Sequence, residues 1–192
     1  MQLRKTRLKT SRFLAIAILL FLTNLFFTTD AQTAHLSSHA QISLLTCSPC
    51  DDEVYALYGH TALRIQDTLT INGDKHFIDY VFNYGIFDFS KPNFIYRFAK
   101  GETDYILGVQ DFEPFLSEYQ MRGSEVSEQF LNLDFIEKEA LWEALIINAR
   151  PENRTYRYNF FFDNCATRPI SMIEQAVSGS IAYVEHPKEI TF

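Results

Sequence analysis

"YNFFFDNCATRPISMIEQAVSG", residues 158–179, joins an aromatic stretch to a run with helical spacing, and one cysteine, Cys165, stands at the junction. Upstream, Tyr156, Tyr158, Phe160 and Phe162 fall on one face of "TYRYNFFF", as a strand would place them. Downstream, Ile170, Ile173 and Val177 recur at helical spacing and Gly179 closes the run, which predicts a helix of roughly three turns. Pro169 fits only near the beginning of that helix, because deeper in it the ring would clash with the preceding turn and remove a hydrogen bond. Cys165 is therefore expected at or just before the first turn. There the unpaired N–H groups and the positive end of the helix dipole favour a thiolate and could hold an oxyanion, and Arg168 adds a nearby cation.

The rest of the chain reads as α+β. "QISLLT", "HTALRIQD" and "HFIDYVFNYGIF" have the alternation of strands, with Gly85 near the end of the third. "NFIYRFAKG" and "FEPFLSEYQMRG" read as short helices stopped by Gly101 and Gly123. The clearest helix is "DFIEKEALWEALIINARP". Asp134 is its N-cap, Glu137 lies three residues on, Leu141, Leu145 and Ile146 share a face, and Pro151 lies beyond its end. With 192 residues, 47% of them apolar, and no shift of composition, the chain can build one domain around one core.

The N-terminus stands apart. Arg4, Lys5, Arg7, Lys9 and Arg12 precede an apolar run from Phe13 to Phe27, and "TTDAQ" offers a cleavage site after Ala31. Residues 1–31 are read as a cleaved signal peptide rather than an uncleaved anchor, since a spanning helix needs roughly 20 apolar residues and Thr23 and Asn24 interrupt this one. Residues 32–41 are expected to be a mobile arm, residues 42–185 the domain, and 186–192 a tail. Cleavage leaves 12 basic against 23 acidic groups, a net charge of −11. Such a chain is not suited to binding nucleic acid through phosphates, and any contact with a lipid surface must be apolar or local.

In an oxidising compartment Cys47 and Cys50, spaced C-x-x-C in "TCSPCDD", can close a small disulfide, and the pair is read as structural or incidental. A thioredoxin-like redox pair is the rival, but Asp51, Asp52 and Glu53 would raise a thiol pKa that redox chemistry wants lowered. No second cysteine pair or histidine pair completes a zinc site, and no metal or organic cofactor is implied. Cys165 is left as the odd thiol, and a nucleophilic thiol needs a base. His35 and His39 fall in the arm, His186 near the chain end, and His76 after a turn signal. His60, in "YALYGHTALRI", opens a strand behind a glycine that lets the backbone pass close to something. A lone histidine there is as readily a hydrogen-bonded structural residue, but the odd cysteine at a helix start favours a catalytic pair.

"LLTCSPCDDEVYALYGHTALRI", "FNYGIFDFSKPNFIYRFAKGETDYIL" and "YRYNFFFDNCATRPISMIE", in that order, resemble the Lnb N-terminal periplasmic domain family of Bacteroidetes-type bacteria over about residues 42–177. More distantly, a histidine on a strand followed much later by "NC" before a helix is similar to circularly permuted papain-like proteins related to NlpC and lecithin:retinol acyltransferase. The resemblance implies a permuted papain-like α+β domain, with an antiparallel sheet packed by helices, in the periplasm. It also implies lipoprotein N-acylation, in which an acyl chain leaves a phospholipid, rests on a cysteine as a thioester, and passes to the N-terminal amine of a lipoprotein. Carried onto this chain, Cys165 is the nucleophile and His60 the base. Asn83 or Asp79, which share a strand face, orients the imidazole, with Asn83 preferred for lying nearer the glycine end. Tyr58, Arg64 and Asn164 sit within the matching motifs as weaker candidates for substrate or oxyanion contacts, with Asn164 also a helix cap.

Two departures accompany the resemblance. A glycine commonly follows the proline where this chain has Cys50, which leaves the role of the cysteine pair open. Family members acting on membrane lipids are expected to continue into membrane-spanning segments, and residues 178–192 hold none, so the chain reads as truncated or as a domain working alone. Three functions remain: a thiol acyltransferase at the membrane surface, a cell-wall cysteine peptidase or amidase, and a non-catalytic envelope domain. The aromatic residues at strand and helix spacing are expected in the core rather than in a lipid groove.

Overall fold

A computed structural model describes residues 34–50, 58–87, 92–159 and 161–182. The proposed signal peptide and the 186–192 tail lie outside the described residues. Six strands form one open antiparallel sheet: β1 (Gln41–Cys47), β2 (His60–Ile71), β3 (Asp74–Phe87), β4 (Asp104–Asp111), β5 (Val126–Phe130) and β6 (Thr155–Arg157), in the order β5-β1-β2-β3-β4-β6. Among the described residues four helices accompany it: α1 (Phe94–Ala99), α2 (Phe112–Met121), α3 (Phe135–Ala149) and α4 (Thr167–Ala176). The architecture is α+β.

Strand alternation sends neighbouring residues to opposite faces, and each face carries its own core. Leu63, Ile65, Phe82 and Tyr84 point to the larger one, where Leu141, Trp142 and Leu145 of α3 and Met172 and Ile173 of α4 cover them. Ala62, Val81, Leu45 and Cys47 point the other way, into a small cluster closed by Phe115 of α2. α3 begins with the capping box read from the sequence: the Asp134 carboxylate accepts from the Glu137 N–H, and the Asp134 N–H donates to the Glu137 carboxylate.

Residues 34–40, expected to be a mobile arm, are instead held to the domain. Leu36 and Ala40 are buried in the larger core. The Ser37 N–H and hydroxyl both donate to Asp67, and the Trp142 indole donates to the Ala34 carbonyl. Burial of Leu36 and saturation of Asp67 outweigh the polar look of "AHLSSHA".

A second correction concerns the strand expected over "TYRYNFFF". β6 ends at Arg157, because the Asn159 side chain accepts from the N–H groups of Phe161 and Phe162 while Asn159 and Asp163 exchange backbone hydrogen bonds. The chain turns there, and Phe161 and Phe162 are left 75% and 82% exposed.

Candidate functional site

β2 begins at His60 because Gly59 admits a close approach. Gly59 has φ +71, and a side chain there would bring its Cβ within 2.6 Å of the Cys47 carbonyl. The neighbour implied by the glycine is thus the end of β1. His60 then projects from the face that α2 covers, and Tyr119 of α2 stacks against its ring at 6.0 Å between centroids and 12° between planes.

On the neighbouring strand, Asn83 shares that face, and His60 Nε2 lies 2.6 Å from Asn83 Oδ1. An amide oxygen only accepts, so Nε2 carries the proton and Nδ1 keeps its lone pair. Burial pushes the His60 pKa down to about 4, although the Asn83 hydrogen bond opposes the fall; the Arg122 charge adds to it. A neutral imidazole with a basic Nδ1 is the resting form near neutral pH.

Of the two polar residues weighed as the orienting group, Asp79 does something else. Arg64 Nε and Nη2 donate to its two oxygens, each at 2.7 Å, and Gln66 adds a third bond at 3.1 Å. Arg64 Nη1 donates to Glu128 at 3.1 Å, and the guanidinium lies 3.4 Å from the centre of the Phe112 ring. Arg64 and Asp79, both considered as site residues, are engaged in this clamp across β5, β2 and β3.

Cys165 comes to the site from the opposite end of the chain. Asn164 accepts from the N–H groups of Ala166 and Thr167, and its own N–H donates to the Thr167 hydroxyl, so it caps the turn that leads into α4. Thr61 Oγ1 donates to the Cys165 carbonyl at 2.5 Å and ties this turn to the start of β2. Gly85 forms the meeting point. It has φ +104, next to a register shift between Tyr84 and Ile86, and a Cβ placed on it would lie 3.4 Å from Cys165 Cβ and 3.7 Å from His60 Cε1. The bare backbone of Gly85 therefore lets Cys165 and His60 approach the same point.

The thiol differs electrostatically from the expectation. Burial raises the Cys165 pKa, and the backbone N–H groups of Thr61, Cys165 and Ala166 offset that only in part. Arg168, expected to add positive charge beside it, is paired with Asp163 at 2.5 and 2.8 Å and stacked 3.7 Å from the centre of the Tyr156 ring. Desolvation outweighs the helix start, so the resting thiol is protonated.

A cleft of about 190 Å³ opens beside the imidazole, with Cys50, Gly59, His60, Asn83, Gly85 and Tyr119 in its wall. Ile86 and Phe87 give it an apolar side, while Glu118 and Arg122 give it a charged one. Tyr58, 73% exposed, lies just outside the start of β2. Cys47 and Cys50, the candidate disulfide pair, both carry free thiols in this structure. Cys47 points into the small core, where burial raises its pKa to about 12 against a hydrogen bond with Tyr119, whereas Cys50 faces the cleft. Among the described residues no group of acidic, histidine or cysteine side chains is arranged to hold a metal ion.

Thr61, Tyr119, Glu118 and Arg122 were not singled out from the sequence. Thr61 adjoins His60 in "GHT", but Glu118 and Tyr119 sit on α2 and Arg122 is its C-cap, and that helix reaches the site only through packing. A family model described as the Lnb N-terminal periplasmic domain matches residues 28–190. No curated protein and no solved structure matches the chain.

Proposed function

Since the chain belongs to the family of Lnb N-terminal periplasmic domains, we propose that it is a periplasmic thiol acyltransferase in which Cys165 is the nucleophile and His60 the general base. The observation that carries this reading is the convergence of Cys165 and His60 on Gly85, with Asn83 fixing the imidazole so that Nδ1 is basic. The order of base on a strand and cysteine before a late helix fits a permuted papain-like arrangement.

In the first half-reaction His60 Nδ1 takes the Cys165 proton as the sulfur attacks the ester carbonyl of a phospholipid. The S–C bond forms, the ester C–O bond breaks, and the imidazolium returns its proton to the departing lysolipid oxygen. In the second, the N-terminal amine of a lipoprotein attacks the thioester and gives its proton to His60, and the sulfur leaves to be reprotonated. A protonated resting thiol requires the base to act during attack rather than before it. The N–H groups of Cys165 and Ala166, beside the sulfur, are suited to receive the developing oxyanion. Lipid contact is assigned to exposed apolar side chains such as Phe161 and Phe162 beside the Cys165 turn.

The polar side of the cleft, with Glu118 and Arg122, favours a second reading as a cell-wall cysteine peptidase or amidase, where water resolves the intermediate. Intact mass after incubation with phospholipid vesicles separates the two. A hydroxylamine-labile acyl mass on the wild type and none on Cys165→Ala supports acyl transfer. A reactive Cys165 that never acquires that mass overturns it in favour of the peptidase reading.

A further inference from the structure

Glu118 and Arg122 lie one turn apart at the C-terminal end of α2, and both line the cleft that holds His60. Arg122 Nη2 is 2.5 Å from Glu118 Oε1, with the side chains 23% and 42% exposed, so both charges can be reached from the cleft mouth. Among the described residues lining the cleft they are the charged ones, and their signs are opposite. An arginine alone would suit a simple anion, but here a carboxylate sits against it. The mature chain also carries a net charge of −11, which disfavours an anionic guest. A guest carrying both signs a few bonds apart meets neither penalty, since its anion replaces Glu118 on Arg122 and its cation replaces Arg122 on Glu118.

We infer that Glu118 and Arg122 form the receptor for a zwitterionic phosphoethanolamine headgroup, with Arg122 on the phosphodiester and Glu118 on the ammonium. This selects the acyl donor and rests on the acyltransferase reading. A guanidinium offers paired N–H donors to phosphate oxygens, and an ammonium offers N–H donors to a carboxylate. Glu118 and Tyr119 belong to α2 and Arg122 is its C-cap, Tyr119 stacks on His60, and Gly85 lines the same cleft as both charges.

The test compares dihexanoyl phosphatidylethanolamine with dihexanoyl phosphatidylglycerol, both dispersed as monomers. Calorimetry on Cys165→Ala measures binding, and intact mass on wild type measures acylation. The Cys165→Ala protein is expected to bind the ethanolamine lipid about fivefold or more tightly than the glycerol lipid. Adding Glu118→Gln should bring that ratio close to one, whereas Arg122→Gln should weaken both lipids and Arg122→Lys should restore part of the loss. An unchanged ratio in the Glu118→Gln protein, with its melting temperature preserved, overturns the assignment, as does equal binding of the two lipids by the parent. Preferential binding without an acyl adduct would retain the receptor and remove the acyltransferase reading. An adduct formed equally from both lipids would retain that reading and remove the receptor.

Discussion

Two polar clusters sit on the same face of the sheet, a few residues apart along β2 and β3, and they differ in whether their hydrogen-bonding capacity is filled. In the first, Arg64 is held on Asp79 and Glu128, with Gln66, Ser43 and the Phe112 ring completing the set. In the second, His60 gives one nitrogen to Asn83 and presents its Cε1 toward Gly85, which Cys165 also approaches. Saturation makes a clamp of the first, whereas the second, with His60 and Cys165 both approaching Gly85, is the pair to which we assign the chemistry. Polarity and burial alone would not have told the two apart.

The sharpest way to break this contrast is to remove the reacting atoms. Cys165→Ala, and His60→Ala separately, should lower acyl-enzyme formation by about a thousandfold or more with an unchanged melting temperature. A His60→Ala protein that unfolds would move that residue into the class of Arg64. Conversely, Arg64→Met should leave Asp79 and Glu128 facing each other without their cation, costing about 3 kcal/mol in urea unfolding. Its activity per folded molecule should persist; a stable but inactive Arg64→Met protein would place Arg64 in the site.

Asn83→Ala sharpens the comparison at an intermediate level, with a loss of about tenfold to a hundredfold as the imidazole loses its orientation. The pH profile reports the same bond. With the His60 pKa near 4, the acid limb of activity should lie near that value rather than at the ordinary histidine value, and Asn83→Ala should move it lower still. A limb near the ordinary value would show that His60 is solvated. Stability follows with a defined sign: the folded pKa lies below the unfolded one, so the contribution is present above the unfolded histidine pKa. It is lost as pH falls toward about 4. The His60→Ala protein should therefore lose less stability over that window. The smallest effect is expected from Cys47→Ser, about 1 kcal/mol for placing a hydroxyl in the small core, equal with and without reductant because Cys47 is a free thiol.

Much of the fold was legible because local rules and tertiary packing agree. Asp134 and Glu137 announce α3, Pro169 dates the start of α4, and β1 to β3 follow their alternation. β4 and β5 escaped. β4 breaks its pattern at Gly108 and the polar pair after Val109, and β5 is an edge strand with mostly exposed residues that is defined by pairing Ser43 with Phe130 across the chain. The aromatic alternation that extended β6 too far belongs to a turn, where one asparagine side chain overrode the pattern. At the site, residue type and position pointed to Cys165 and His60. Their electrostatics were not readable, because burial depends on Tyr119 and on a tyrosine cluster assembled from several strands.

The protonated state of Cys165 also bears on how an unpaired thiol endures outside the cytoplasm. Disulfide exchange and peroxide attack both proceed through the thiolate, at rates set by its fraction and its exposure. A half-buried thiol with a raised pKa presents little of that form to small oxidants or to neighbouring disulfides. The desolvation that keeps the Cys165 thiol protonated thus also shields its sulfur from oxidation and exchange.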